Sequence, residues 1–131
     1  MLKIYLLDSD VIIAYLRGLK EAVDFADHLL RDGSMLGCCS VNVAEVYAGM
    51  KEKERTTTEN LIDSLKFFPV NLEEAKLTGN MIRHYRSKGV TLGLADAMIA
   101  AVAIQNDLIL VTYNERHYPM EELKLLSPGK S

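Results

Sequence analysis

Short apolar runs alternate along the chain with segments whose apolar residues recur at helical spacing. Residues 2–7 are apolar except for Lys3 and end in Asp8-Ser9-Asp10, which predicts a buried strand turning directly into a helix. That helix covers residues 11–17 and stops at Gly18. Between residues 20 and 31, Ala22, Val23, Phe25, Ala26, Leu29 and Leu30 keep a helical period, and Gly33 follows as a terminator. Residues 35–39 form a second apolar run. Ser40 and Asn42 then offer caps for a helix that carries Val43, Val46, Tyr47 and Met50 on one face.

Residues 51–58 are polar and of mixed charge, and Leu61, Ile62, Leu65 and Phe68 mark a further helix before Pro69, with Val70 heading a very short strand. Residues 72–86 are helical through Ala75, Leu77, Met81, Ile82 and Tyr85, and Lys88-Gly89 ends them. Residues 92–105 are nearly all apolar, so this helix is buried on most sides rather than lying on the surface. Residues 108–111 add a buried strand and residues 123–126 an edge strand. The alternation predicts an α/β fold, a parallel sheet with helices on both faces. No internal repeat or low-complexity segment interrupts it.

Composition narrows the class. A chain of 131 residues, 49% hydrophobic and 25% charged, fits one globular domain spanning residues 1–131 without a linker. Fifteen Lys and Arg against eighteen Asp and Glu leave a net charge of −3, whereas dedicated nucleic-acid binders are usually basic overall. Any RNA contact must rest on a local basic patch beside an acidic centre. Cys38 and Cys39 are adjacent and cannot close a useful loop, which argues against a disulfide framework or a zinc site; they read as buried thiols of a reducing, cytoplasmic compartment. Asp8 and Asp10 interrupt the first apolar run before it can serve as a signal-peptide core, and the other long run, residues 97–104, is far below the roughly 20 residues needed to cross a bilayer. The reading is of a soluble protein with no membrane partner.

Three carboxylates carry the candidate chemistry. In an open α/β sheet, ligands gather beyond the carboxyl ends of the strands, where Asp8 falls; the plainer reading makes Asp8, Ser9 and Asp10 helix caps. Glu45 follows Asn42 by three positions, so it also fits a capping-box partner. Asp96 is the sole charge between Leu92 and Gln105, and an uncompensated buried carboxylate would cost several kcal/mol. Its place in a first helical turn returns only roughly 0.3–1 kcal/mol. A cation explains it better. Converging carboxylates would otherwise repel by about 4 kcal/mol per pair at ~4 Å and an effective dielectric near 20. Oxygen ligands without a His or Cys cluster point to Mg²⁺ or Mn²⁺ rather than zinc.

Four segments then resemble one family: Leu6-Leu7-Asp8-Ser9-Asp10-Val11, Ser40-Val41-Asn42-Val43-Ala44-Glu45-Val46-Tyr47-Ala48-Gly49, Leu92-Gly93-Leu94-Ala95-Asp96-Ala97-Met98-Ile99-Ala100 and Leu110-Val111-Thr112-Tyr113-Asn114. Their order and spacing look like a PIN domain of the VapC toxin group, over essentially the whole chain. The resemblance implies an α/β/α sandwich on a mainly parallel sheet of four or five strands and a Mg²⁺-dependent endoribonuclease. It also implies a toxin role, a cognate VapB-like antitoxin and a homodimer. Carried over by position, Asp8, Glu45 and Asp96 match the acidic ligands, and Thr112 and Asn114 match the polar pair after the fourth strand, with Ser9 in support.

The pattern often has an Asp three residues beyond that Asn, before an aromatic. Here His117 stands there before Tyr118. That leaves open whether Glu115 or Asp10 supplies the missing oxygen, and whether His117 contacts a phosphate or is a loop residue without a role. Arg86, Arg116 and His117 are the candidate RNA contacts, within basic stretches that include Arg83, Lys88, Lys51, Lys53 and Arg55; the alternative is that they are solvated helix faces. Two rival functions remain. One is a PIN-like module that binds RNA or protein without metal. The other is a haloacid-dehalogenase-type phosphatase, for which Asp8-Ser9-Asp10-Val11 supplies the Asp-x-Asp opening but residues 108–114 lack the paired acids.

Overall fold

The computed structural model describes residues 3–129; Leu2, assigned above to the first strand, lies outside the described residues, as do Met1, Lys130 and Ser131. The first half of the chain forms β1 (Ile4–Leu7), α1 (Ser9–Leu16), α2 (Lys20–Arg31), β2 (Met35–Cys39), α3 (Ser40–Gly49), α4 (Arg55–Ser64) and β3 (Lys66–Phe68). The second half forms α5 (Leu72–Ser87), α6 (Leu94–Gln105), β4 (Ile109–Val111) and β5 (Lys124–Leu126). Short 3₁₀ turns, Glu52–Glu54 and Glu115–His117, precede α4 and follow β4. The five strands lie in the order β3-β2-β1-β4-β5, and every pairing is parallel.

Side chains on a strand point alternately to opposite faces, and the core follows that period. Leu6, Cys39, Phe68 and Leu110 join the apolar face of α5 and most of α6. Tyr5, Leu7, Leu36, Cys38 and Val111 pack against α1, α2, α3 and α4. Leu6, Leu110 and Val111 are fully buried, as strands covered on both faces require. Ala97, Ile99, Ala100, Ala101, Val102 and Ala103 of α6 are all at most 1% exposed, in keeping with its lack of a polar face. Cys38 and Cys39 are buried free thiols, and burial pushes the Cys38 thiol up to about 11. At Gly37 a Cβ would stand 2.7 Å from Phe68 Cε2 and 2.9 Å from the Lys66 carbonyl oxygen, so glycine lets β2 and β3 approach.

The boundaries differ from expectation in several places, beginning with α1, which starts at Ser9 rather than Val11. The helix predicted through Leu65 and Phe68 ends at Ser64, and the next residues pair with β2 through Gly37, Cys38 and Cys39. Positions 61, 62, 65 and 68 fit a helical period, yet the open edge of β2 claims the aromatic pair Phe67-Phe68. Val70 consequently heads no strand, and its N–H donates to Ser40 Oγ at 3.0 Å. Cys39, rather than Ser40 or Asn42, is the N-cap of α3, with Asn42 Oδ1 accepting the Cys39 N–H at 2.9 Å. Finally, α6 starts at Leu94 behind Gly93 instead of at Leu92.

Candidate functional site

The strand order changes direction at β1, whose neighbours are β2 on one side and β4 on the other, so β1 and β4 flank the switch point where open sheets bind ligands. Asp8 leaves the end of β1 and Thr112 the end of β4. The Asp8 N–H continues the ladder by donating to the Val111 carbonyl at 2.8 Å, which seats the Asp8 side chain at the rim of the sheet.

Asp8 is both a cap and a site residue. It is the N-cap of α1, and its Oδ1 accepts the Ser9 N–H at 2.8 Å. Its Oδ2 accepts two hydroxyl protons, from Thr112 at 2.8 Å and from Tyr118 at 2.8 Å. Three donors therefore hold a carboxylate that is only 6% exposed. The Tyr118 oxygen also lies 3.4 Å from Asp96 Oδ1, which places Asp96 and Asp8 on either side of one hydroxyl. Asp96 sits in the first turn of α6, and its Oδ2 is 3.3 Å from Nδ1 of His117. Burial and the charge of Asp8 push its carboxyl above the usual range, while His117 and the Tyr118 hydroxyl pull it back.

Glu45 joins the corner from α3. Ser9 Oγ donates to Glu45 Oε1 at 2.6 Å and accepts from Asn42 Nδ2 at 3.1 Å. The capping-box role considered for Glu45 belongs to Asn42 instead, because Asn42 is three residues beyond the true cap, Cys39. Asn42 is fully buried and serves both ends of this link: it caps α3 and holds Ser9.

Asp10, raised as a source of the missing fourth oxygen, lies at the same corner. Its Oδ2 accepts the Tyr113 N–H at 3.1 Å and Asn114 Nδ2 at 2.8 Å, while Oδ1 is buried and meets no donor in hydrogen-bonding geometry. Burial and the Asp8 charge push its carboxyl up to about 6, against the opposing pull of nearby N–H groups and Thr112. The polar pair after β4 thus has divided loyalties. Thr112 Oγ1 serves Asp8 and accepts the Asn114 N–H at 3.0 Å, whereas the Asn114 side chain fastens the loop to Asp10. Glu115 lies on the turn that follows, lining a polar hollow of about 410 Å³ with Arg116, His117 and Ser127.

Of the basic residues, His117 stands beside Asp96, and Arg116 precedes it on the turn Glu115–His117, where both line the polar hollow. Arg86 is in the last turn of α5, next to Tyr85, whose hydroxyl donates to the Pro119 carbonyl at 3.3 Å. Arg55 is committed to Glu52 at 2.6 and 3.0 Å, and Arg83 donates to Asn80 at 3.2 Å, so neither is aimed at the corner.

Tyr118 is a further residue of the candidate site, one that local sequence pattern does not single out. In the sequence it is only the aromatic after His117, yet its ring is 3% exposed in the core and its hydroxyl joins two carboxylates. A buried tyrosine needs a partner for its O–H, which is the signal that was available. The partner's identity was not.

The donor set is one of oxygens, suited to a hard divalent cation rather than to zinc. Among the described residues, no three His, Cys, Asp or Glu side chains stand close enough together to hold one ion. Mg²⁺ keeps several waters and commonly takes only one or two carboxylates directly, so Asp8 and Asp96 are the pair that could anchor it. The partnerless oxygen of Asp10 is consistent with a positive group being wanted at this corner.

Comparison with known proteins agrees with this architecture. The model of the PIN domain family matches residues 5–123. Ribonuclease VapC10 of Mycobacterium tuberculosis is 41% identical over 120 residues, 91% of this chain and 90% of that protein. Ribonuclease VapC19 of the same organism is 30% identical over 115 residues, 88% and 92% of the two chains. Among solved structures, VapBC2 from Rickettsia felis bound to a promoter DNA fragment superposes with a TM-score of 0.84 at 20% identity over 95% of this chain and 98% of that one. DNA-bound VapBC from Salmonella typhimurium reaches 0.82 at 23% identity over 97% and 98%. These two likenesses speak to fold alone. The five-stranded parallel sheet, its carboxylate corner and a family match from the first strand to the threshold of the last remove the phosphatase reading: the chain belongs to the PIN domain family.

Proposed function

We propose that this chain is a divalent-metal-dependent endoribonuclease that hydrolyses RNA phosphodiester bonds, and that it is the toxin of a toxin–antitoxin pair. The observation that carries the reading is the meeting of Asp8 and Asp96 across the Tyr118 hydroxyl at the switch point of the sheet. Its similarity to two proteins named as ribonucleases supports the activity. The antitoxin rests on likeness of fold to the two DNA-bound VapBC structures. The whole chain, residues 1–131, acts as one domain in the cytoplasm and forms a homodimer; among the described residues no helix is long and apolar enough to cross a membrane.

Asp8 and Asp96 would hold Mg²⁺ or Mn²⁺, with Glu45 as a third carboxylate that acts through water rather than as a direct ligand. When bound, such an ion supplies Lewis-acid polarisation of the phosphate and acidifies water at the site. The chain's own residues do the rest. Thr112 and the Ser9 N–H fix Asp8, so that its carboxylate need not reorganise when substrate arrives. Ser9 steers Glu45, the exposed carboxylate of the three, toward the corner, where it can take a proton from an attacking water. Arg116 and His117 face the polar hollow and bind phosphate oxygens of the RNA strand.

Cleavage of a labelled RNA in excess EDTA, and again after adding Mg²⁺ or Mn²⁺, tests the reading. The expected result is no cleavage in chelator and recovery with either ion; undiminished cleavage in EDTA overturns it. The competing reading, a metal-free module that binds RNA or protein, draws on the spread of the carboxylates and on His117 at the fourth acidic position. It is supported instead if RNA is bound but left intact with both ions present.

A further inference from the structure

The corner contains one device that the proposed activity does not account for. Tyr118 follows the turn Glu115–His117, and its ring is packed in the core with Ala97, Met120 and Leu123. Its hydroxyl therefore has little freedom to move. It has one proton, and the shorter contact, 2.8 Å to Asp8 Oδ2 against 3.4 Å to Asp96 Oδ1, assigns that proton to Asp8. A phenol keeps its proton at neutral pH, so the hydroxyl is a donor.

The hydroxyl stands between the two carboxylates that a cation would join. An ion coordinated directly by both would require each oxygen within about 2.0–2.1 Å of it. The separations across the hydroxyl are longer, in keeping with the absence among the described residues of a three-ligand group. A hydrogen-bond donor and a divalent cation satisfy the same need here, since each offers positive charge to an anionic oxygen that is screened from water. Asp8 Oδ2 already accepts from Thr112, so a second donor and a cation compete for the same remaining side of one oxygen.

We propose that the Tyr118 hydroxyl is a placeholder: a positioning group that occupies the gap between Asp8 and Asp96 in the metal-free protein and competes with the divalent cation for Asp8. The inference rests on the metal-dependent reading given under the proposed function. It makes Tyr118 a determinant of metal affinity rather than a catalytic residue. The hydrogen bond relieves Asp8 in the metal-free fold, and an entering ion must break it, the O–H turning away while the ring stays in place.

Tyr118→Phe tests this, because it retains the ring in the core and deletes the donor. Mn²⁺ affinity is read without RNA, by calorimetry or by the spectrum of free Mn²⁺, together with the melting temperature in EDTA. The expected result is tighter Mn²⁺ binding, by about three- to tenfold, alongside a lower melting temperature in EDTA. Thr112→Val removes the other hydroxyl from the same Asp8 oxygen but does not touch Asp96. It should lower the melting temperature without tightening Mn²⁺, which separates a placeholder from the loss of any donor. Unchanged or weaker Mn²⁺ binding by Tyr118→Phe overturns the proposal, as does equal tightening by Thr112→Val. Should Tyr118→Phe not fold, site-specific 3-fluorotyrosine at position 118, a stronger hydrogen-bond donor, must weaken Mn²⁺ binding; an unchanged affinity overturns the proposal equally. Wild-type protein that binds no Mn²⁺ at all overturns the metal-dependent reading and this one with it, whereas wild-type binding with an unresponsive Tyr118→Phe overturns only the placeholder.

Discussion

The carboxylate corner and the basic stretches lie on one small molecule but are built in different ways. Three acidic residues of the corner are held by a hydrogen bond from a distant part of the chain, Asp8 by Thr112 and Tyr118, Asp10 by Asn114 and Glu45 by Ser9, and Asp96 lies against the Tyr118 oxygen and His117. The ion pairs of Lys20, Arg55 and Lys76 are instead local, within four residues, and exposed. Exposed pairs of that kind contribute little to stability, about 0–1 kcal/mol. Under the proposed function, the fold would set where a cation and a scissile phosphate sit, and attraction of the RNA strand would fall to exposed side chains.

Replacing a corner carboxylate should produce the largest effect. Asp96→Asn preserves size and helix fit and removes one charge; cleavage in Mg²⁺ should fall by more than the roughly 10–100-fold typical of outer-shell changes. The melting temperature in EDTA should hold or rise, because Asp8 and burial already push the Asp96 carboxyl toward its neutral form. A destabilised protein that still cuts at the wild-type rate would remove Asp96 from the site.

Ser9→Ala probes the link between the corner and α3. It deletes the donor to Glu45 and leaves Asn42 Nδ2 without its acceptor. Activity should drop by about 10–100-fold, and stability by about 1–3 kcal/mol for the stranded amide. Unaltered single-turnover rates would mean that Glu45 needs no steering.

The basic side should respond more mildly and in a different parameter. Arg116→Ala should raise KM several-fold with kcat nearly unchanged, and reduce the slope of log affinity against log salt by about 1. A loss in kcat with an unchanged salt slope would place Arg116 in the chemistry and blur the contrast between the two regions.

Asp10→Asn gives the smallest effect and isolates the titration of one carboxyl. Asp10 is pushed up to about 6 when folded, against roughly 3.9 for an unfolded chain, so the native state binds its proton more tightly. Its contribution to metal-free stability is therefore favourable below pH ~4, is lost as the pH rises to about 6, and stays lost above. Asp10→Asn should melt higher than wild type in EDTA at pH 7.5, by an amount on the order of 1 kcal/mol once solvent screening of this partly exposed group is allowed for. The advantage should vanish near pH 4. A constant offset from pH 4 to 7.5 would assign the effect to packing.

The sequence by itself determined the architecture. Apolar runs with helical segments between them specify a parallel sheet covered on both faces, since such strands must be buried on two sides, and α6 is legible as buried because it has no polar face. Asp8, Glu45 and Asp96 were legible as types at telling positions: the end of a strand, or the lone charge in an apolar helix. Whether Leu65 and Phe68 closed a helix or led into a strand was decided only when β2 offered an unpaired edge. The same holds for the division of labour at the corner. Asn42 rather than Glu45 completes the capping box because the chain enters α3 at Cys39, a matter of backbone angle. Thr112 and Tyr118 reach Asp8 across 104 and 110 positions of sequence. Contacts at that separation leave no mark on local periodicity; they exist because β1 and β4 are neighbours in the sheet and the core fixes the ring of Tyr118 beneath them.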